Sequence, residues 1–460
     1  MKIVVLNGSP KGDMSITKRY VDYLNIKFPV NDYIFLNISK DIRKIEKDEE
    51  YLNIILNEIE NSDAVLWAFP VYYCLVPSQY KKFIEIVFEK GKTQPFEGKY
   101  TAAISTSIHY FDHTAHNYIH AISDDLNMKY TGFFSANSDD LLLEEKRRSL
   151  VSFWEMFEDS VLQKKEIQKY YIPVDYESVK YEPSPSKERT DISGKKVIIL
   201  TDSDTPDSNA MKMSEKLQSS LKGTTEIINL HNLRMKGGCQ GCIKCGFENI
   251  CIYNDGFTDW YEKVLKSADI IVLSCTIKDR YISSIWKQFF DRSFFMGHVP
   301  SLAKKTIGIM VSGPYSGIEN LKEIFGEYLE MSAGYPGGII SDESKSSETT
   351  DRIIEGFAKN LAFVSEKSYM PPMTFRGTGG RKIFRDDIWE HLRPIFRADD
   401  RYYKKNGLYD FPQKNYTERI KNRAMIILFS IPQVQKSVVP RFKQEMVKPF
   451  DKLLERISEK

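Results

Sequence analysis

Two stretches of this chain repeat one another at nearly constant spacing, and that duplication narrows the fold more than any bulk property. Lys2–Leu6 (KIVVL) returns 194 residues later as Lys196–Leu200 (KVIIL), and Ser78–Phe83 (SQYKKF) returns 206 residues later as Ser284–Phe289 (SIWKQF). The second copy therefore holds about twelve more residues between these landmarks, and a four-cysteine loop, Cys239–Cys251, lies in that interval. Within each copy, short apolar runs alternate with amphipathic stretches, as a parallel sheet flanked by helices requires. Strands are expected at 2–6, 33–37, 64–68, 100–106 and 130–135, and again at 196–200, 226–230, 270–274, 306–311 and 338–341. Helices are expected at 15–25, 46–61, 78–89, 113–126 and 144–162. The pattern is that of an α/β chain with two tandem, doubly wound parallel sheets.

With 460 residues, the chain has room for two or three domains of ordinary size. Residues 1–170 form the first expected domain, and 194–369 form a degenerate second. Between them, 171–193 is polar and Pro-containing (YEPSPSKERTDIS) and reads as a linker. From 370 to 460 the alternation stops, and a mostly helical or irregular extension is expected. A formal charge of only +2 gives no global field toward nucleic acid or an acidic membrane. No run reaches the roughly 18 apolar residues of a membrane span; the nearest, Ala424–Ile431, stops at Pro432. No secretory leader precedes the first strand, so a cytoplasmic protein is expected.

The first expected strand runs into Asn7-Gly-Ser-Pro-Lys-Gly-Asp-Met-Ser-Ile-Thr17 and then a helix. Amides at a helix N-terminus, the Ser9, Ser15 and Thr17 hydroxyls and the Lys11 charge suit a phosphate. The same turn serves equally well as a helix cap. The matching turn in the second copy, Thr201–Asn209, carries Asp202, Asp204 and Asp207. Three carboxylates would repel a phosphate there unless they face water, so flavin binding is expected to be lost from the second copy.

Three segments of the first copy give the chain a recognisable likeness. They are Asn7-Gly-Ser-Pro with Ser15-Ile-Thr17, then Phe69-Pro-Val-Tyr-Tyr-Cys-Leu-Val-Pro77 with Tyr80-Lys-Lys-Phe83, and Ser105–Tyr118 (STSIHYFDHTAHNY). In these the chain resembles the NADPH-dependent FMN reductase and iron–sulfur flavoprotein family, well over about 1–165 and more loosely over 194–366. The resemblance implies FMN as cofactor, with its phosphate held by Ser9, Lys11, Ser15, Ile16 and Thr17. It implies Pro70, Val71, Tyr72 and Tyr73 along the isoalloxazine ring, and Thr106, Ser107 and His109 at its edge. It also implies hydride from NADH or NADPH and an electron acceptor that is either a small molecule or a redox protein. No covalent catalytic residue is required, since the flavin supplies the chemistry. In the second copy Cys275–Tyr281 and Ser312–Tyr315 stand at the ring-loop positions without the same residues. A pseudo-dimer is expected, in which the degenerate copy supplies the opposite wall.

Cys239, Cys242, Cys245 and Cys251 are spaced C-x2-C-x2-C-x5-C. The spacing is similar to the compact motif of iron–sulfur flavoproteins and implies a [4Fe–4S] cluster. Zinc, or free thiols in a structural loop, remain open alternatives. Cys74 and Cys275 read as buried small residues. His109, His113, His116 and His120 with Asp112 offer a metal-site alternative, because His116 and His120 share a helix face; a surface helix with one flavin contact fits the segment as well. His109 is also placed to donate a proton during substrate reduction. The function expected is an FMN-dependent NAD(P)H oxidoreductase. The alternatives are a flavin and iron–sulfur electron-transfer module serving a redox protein, or a flavin-free interaction protein on a decayed fold. Homo-oligomerisation is left open.

Overall fold

The computed structural model describes residues 1–177, 179–186, 188–296, 299–344 and 346–458; Ser178 and Lys187 of the expected linker lie outside the described residues. The apolar runs form two sheets. In the first, β1 (Lys2–Asn7), β2 (Asp32–Leu36), β3 (Ala64–Pro70), β4 (Tyr100–Ser107) and β5 (Lys129–Asn137) lie in the order β2-β1-β3-β4-β5, all parallel. In the second, β6 (Val197–Thr201), β7 (Thr225–Asn229), β8 (Ile270–Lys278), β10 (Thr306–Ser312) and β11 (Tyr335–Ser341) repeat that order from the other edge, β11-β10-β8-β6-β7. A two-residue strand, β9 (Tyr281–Ile282), pairs antiparallel with the end of β8. That pairing carries β8 past the expected Ser274 to Lys278. Likewise β11 starts at Tyr335 rather than Gly338, because Tyr335 already pairs with Thr306 across an irregular step.

Helices on both faces explain why the central strands read as unbroken apolar runs. Ile3, Val4, Val5 and Leu6 of β1 are buried, as are Val197, Ile198, Ile199 and Leu200 of β6. The first half supplies α1 (Ile16–Lys27), α2 (Glu49–Glu60), α3 (Ser78–Glu89), α4 (Asp112–Asp125) and α5 (Glu144–Leu162). The second supplies α6 (Asn209–Ser220), α7 (Ser284–Ser293), α8 (Glu319–Met331) and α9 (Ser347–Lys367). Beyond these, α10 (Phe375–Asp387) belongs to the same compact unit, which extends to Tyr402.

The two halves meet through α3 and α7 in a reciprocal arrangement. Each helix has a buried lysine four residues before a buried acid: Lys81 with Glu85, and Lys287 with Asp291. Each acid caps the other helix. Ser78 N donates to Asp291 Oδ2 at 2.7 Å, and Ser284 N donates to Glu85 Oε1 at 2.5 Å. Both acids thereby satisfy amides that no intrahelical carbonyl can reach.

Residues 403–460 form a second compact unit. It contains α11 (Tyr416–Phe429), α12 (Pro432–Val438) and α13 (Phe442–Ser458), none with a buried side chain. Among the described residues no helix is long and apolar enough to cross a membrane.

Candidate functional site

The strand order reverses direction between β1 and β3, and open α/β sheets bind ligands in the crevice outside the carboxyl ends of the strands at such a point. Asn7 pairs with Ala68, and Pro70 pairs with Thr106, so the turns leaving β1, β3 and β4 emerge side by side. The β1 turn is fixed from within. Asn7 Nδ2 donates to Gly12 O at 3.1 Å, and Ser9 N donates back to Asn7 Oδ1 at 3.1 Å. A Cβ on Gly8 would lie 2.9 Å from atoms of Phe69 and Tyr80, so only glycine lets the turn press against the β3 loop. Ser15 caps α1 by accepting from Lys18 N at 3.4 Å, leaving the Ile16 and Thr17 amides at the helix start without intrahelical acceptors. Thr17 Oγ1 lies 2.6 Å from Thr106 Oγ1 and ties this turn to the one after β4. Lys11 has no carboxylate partner among the described residues.

The β3 turn is tight and strained. Tyr72 N donates to Leu75 O and Leu75 N donates to Tyr72 O, enclosing Tyr73 and Cys74 at φ 41° and 62°. Asn-Gly suits two consecutive left-handed positions, whereas Tyr-Cys does not. The conformation turns the Tyr73 ring onto Phe290 of α7, with centroids 5.4 Å apart and planes 7° from parallel. The same two-residue turn recurs 206 residues later at Asp279 and Arg280, with φ 48° and 60°.

These turns line a cavity of about 400 Å³. Ser9, Lys11, Ser15, Ile16, Thr17, Pro70, Val71, Tyr72, Tyr73, Thr106 and Ser107 all contribute to its wall. His109 is not part of the lining. It is exposed, its Nδ1 lies 2.9 Å from Asp112 Oδ2, and that hydrogen bond raises its pKa. Although burial pushes the Asp112 carboxyl up, hydrogen bonds from His109 and Ser135 hold it well below the usual range. His116 is buried, with Nε2 2.8 Å from Ser105 Oγ, and burial lowers its pKa to about 3. His120 stacks on Tyr130. The histidines are thus spent on separate contacts.

The cysteine loop forms part of the same wall through Cys239, Cys242, Cys245 and Cys251. Gln79 Nε2 at the start of α3 donates to Cys239 O at 3.1 Å, fastening the loop to the first half. Gly241, at φ 61°, sits so close to the β3 turn that a Cβ would fall 1.8 Å from the Tyr72 hydroxyl and 3.2 Å from Lys11 Cε. Burial pushes the Cys239 thiol up to about 12 and the Cys245 thiol to about 11. Among the described residues, no three His, Cys, Asp or Glu side chains are gathered closely enough to hold a metal ion. The expected ligand set is present on one wall but not drawn together.

The rest of the cavity was not legible as a site. It is apolar and comes from the second copy and the chain beyond it: Phe289, Phe290, Phe295, Leu302, Tyr328 and Met331, with Phe384, Ile388, Leu392 and Phe396. Glu327 of α8 and Tyr110 of the turn after β4 belong to the same lining. A lone glutamate on an amphipathic helix gives no signal in sequence; Tyr110 lies within Ser105–Tyr118, but its partner Glu327 is 217 residues away.

The corresponding turn of the second copy buries one of its three aspartates and leaves Asp204 and Asp207 exposed. Asp202 is buried and accepts from Thr276 N and Thr276 Oγ1, each at 3.0 Å, and from Ser283 Oγ. Burial raises its carboxyl pKa to about 7. Asp204 pairs with Lys278 and His231, and Asp207 with Lys180 and Lys212. Rather than merely crowding a phosphate, Asp202 takes up hydrogen-bond donors from the end of β8 and the residue before α7. Arg280 is held by Asp125 at 2.5 and 2.6 Å and by Ile172 O at 2.8 Å, closing the second ring loop with residues of the first half.

Residues 1–151 match the model of a family described as having the flavodoxin-like fold, and residues 195–338 match the NADPH-dependent FMN reductase model. No curated protein matches the chain. Solved structures similar to it include FerB, a flavoenzyme NAD(P)H:(acceptor) oxidoreductase from Paracoccus denitrificans, at 19% identity over 34% of this chain and 97% of that one, TM-score 0.29. General stress protein 14 from Treponema denticola in complex with FMN is 14% identical over 35% and 98%, TM-score 0.27. An FMN-dependent NADH-azoreductase from Bacillus anthracis in complex with FMN is 13% identical over 36% and 100%, TM-score 0.27. The chain carries two flavodoxin-like domains in tandem, the first matching the flavodoxin-like family and the second the NADPH-dependent FMN reductases, and is an NAD(P)H-dependent flavin oxidoreductase.

Proposed function

We propose that FMN binds in the first domain and that the protein passes electrons from NADH or NADPH to a small, apolar acceptor held in the remainder of the same cavity. The observation that carries this reading is the single cavity wall made by the β1, β3 and β4 turns together with an apolar surface from the second copy. FMN, when bound, supplies hydride chemistry at its N5 atom. Ser9, Ser15, Thr17 and the first amides of α1 would hold its phosphate, and Lys11 would balance the charge. Pro70 to Tyr73 would lie along the ring, and Thr106 and Ser107 would approach its edge. Tyr72 and Gly241 bring the cysteine loop against this site and exclude water from it. The second copy, with Asp202 in its phosphate turn, serves as wall and binds no flavin.

A second reading draws on the position of all four loop cysteines in that cavity wall: a [4Fe–4S] cluster bound on rearrangement of the loop, with a redox protein as partner. One preparation tests both. Anaerobically purified protein, with FMN, iron and sulfide quantified on the same sample, should contain about one FMN per chain and bleach rapidly with NADPH. About four irons per chain, with reduction only by reduced ferredoxin, would favour the carrier instead. Failure to retain or take up FMN would overturn both.

A further inference from the structure

Glu327 is the feature of the cavity that the flavin site leaves unexplained. It lies on α8 in the second copy, yet its carboxyl points into the flavin crevice of the first. Its side chain is 1% exposed, and Oε1 accepts a hydrogen bond from the Tyr110 hydroxyl. Oε2 is buried and meets no N–H or O–H donor; the Cys74 thiol, a weak donor, is what else faces the carboxyl. A carboxylate so poorly satisfied in an apolar cavity is costly, whereas a carboxylic acid at the same place is a ready donor. Burial is also the main cause that raises its pKa to about 7.

Among the described residues, no cation is found among the groups that act on Glu327. From the first half it faces Tyr110, Tyr73 and the Cys74 thiol. From the second half Tyr281 and, on its own helix, Tyr328 and Glu330 lie within electrostatic reach. On the packed α10, Arg376 is taken by Glu323 and Glu330, and Arg385 pairs with Asp386. Lys287 is committed to Asp291 and to Tyr72 O.

We propose that the apolar part of the cavity takes an uncharged acceptor with a reducible double bond to oxygen or nitrogen, and that Glu327 donates the proton which that heteroatom receives. The inference rests on the proposed FMN site. Reduction breaks the π bond of the acceptor by adding two electrons and one proton as hydride from the reduced flavin. The second proton leaves Glu327 Oε2 for the acceptor heteroatom, and the carboxylate then recovers a proton from water. An anionic acceptor is disfavoured, because a second negative charge would enter the same low-dielectric chamber.

The test combines a reading that needs no flavin with two that do. Infrared difference spectra of flavin-free protein between pH 5 and pH 9 should contain a protonated-carboxyl C=O band that is lost in E327Q. In FMN-loaded, prereduced protein, reoxidation by 1,4-naphthoquinone should be about tenfold or more slower in E327Q. Reoxidation by ferricyanide, which accepts an electron and no proton, should change less than about twofold. The wild-type naphthoquinone rate should fall as pH rises through about 7, E327Q should lose that dependence, and E327D should recover it. The anionic 1,4-naphthoquinone-2-sulfonate should react more slowly than its parent in the wild type. Equal losses with naphthoquinone and ferricyanide, or an unchanged pH profile in E327Q, would overturn the proposal and leave Glu327 a structural role. Absence of the Glu327 band would overturn it even in protein that never binds FMN, whereas failure to bind FMN with the band intact would defeat the flavin reading instead.

Discussion

The Ser78 amide donates to the Asp291 carboxylate at 2.7 Å from one half of the molecule to the other, and the Ser284 amide answers it with Glu85 at 2.5 Å. Ser78 and Ser284 are the residues that define the 206-residue repeat. The duplication is therefore also the interface: each copy completes the helix start of the other. Because Lys81 and Lys287 have fully buried side chains, each acid also neutralises a charge that water cannot reach.

Removing one acid should consequently be expensive. D291N leaves Lys287 buried without its counter-charge and should lower unfolding free energy by about 3–5 kcal/mol. E85Q should cost less, because Lys81 keeps Asp279 Oδ2 at 3.3 Å as a second counter-charge. Urea denaturation checks this. Replacing both members of one pair by apolar residues, as in K287M/D291L, should recover only part of the loss: the desolvation cost disappears with the charges, but the buried Ser78 amide still lacks its acceptor.

Lys11 has a narrower role. If it faces the FMN phosphate, K11A should weaken FMN binding about 10- to 100-fold, the range of one charge-assisted hydrogen bond at about 1.5–3 kcal/mol. Riboflavin, which lacks the phosphate, should bind wild type and K11A equally. Flavin fluorescence titration measures both.

Gly241 tests the seating of the cysteine loop. In G241A the new Cβ collides with the Tyr72 hydroxyl, and φ 61° is strained for any residue with a side chain. The loop should be displaced, with a cost of about 1 kcal/mol from backbone strain alone and faster thiol labelling of Cys239. Y72F/G241A removes the oxygen at 1.8 Å and should slow labelling only part of the way back, because ring carbon Cζ would still lie 2.9 Å from the new Cβ and the backbone strain remains. Labelling with a maleimide, followed by mass spectrometry, reads the effect.

Asp202 should leave a mark on stability against pH. Its ordinary carboxyl pKa of 3.8 rises to about 7 on folding, because burial favours the protonated form. The folded state therefore binds the proton more tightly than the unfolded state. The stabilisation is fully present below about 4 and is lost as pH rises through about 7, by about 4 kcal/mol at most. D202N should be less sensitive than wild type over that window, as measured by denaturation at pH 5, 6, 7 and 8.

The sheets were legible because parallel strands buried on both faces leave continuous apolar runs, as in Lys2–Leu6 and Lys196–Leu200. The same logic located the crevice, since the β1, β3 and β4 turns follow directly from strand order. Where the expected strands fell short, as at Lys278 and Tyr335, pairing with another segment extended them. Glu327, Phe290 and Phe384 could not be assigned to the site from sequence because they reach it only through packing between copies. His109 stood apart for the opposite reason: a local partner, Asp112, claims it. The three aspartates of the second turn were visible, but the donors around Asp202, Thr276 and Ser283, came from other parts of the chain.

A symmetric homodimer must change both of its crevices whenever its gene changes one. Here the peptide segment joining the halves, which supplies Ile172 O and the Tyr176 hydroxyl to Arg280, removes that obligation. One turn carries Asp202, bonded to Thr276 and Ser283, where its counterpart 194 residues earlier carries Gly8. Covalent fusion leaves each half free to differ at such positions without imposing the change on the other.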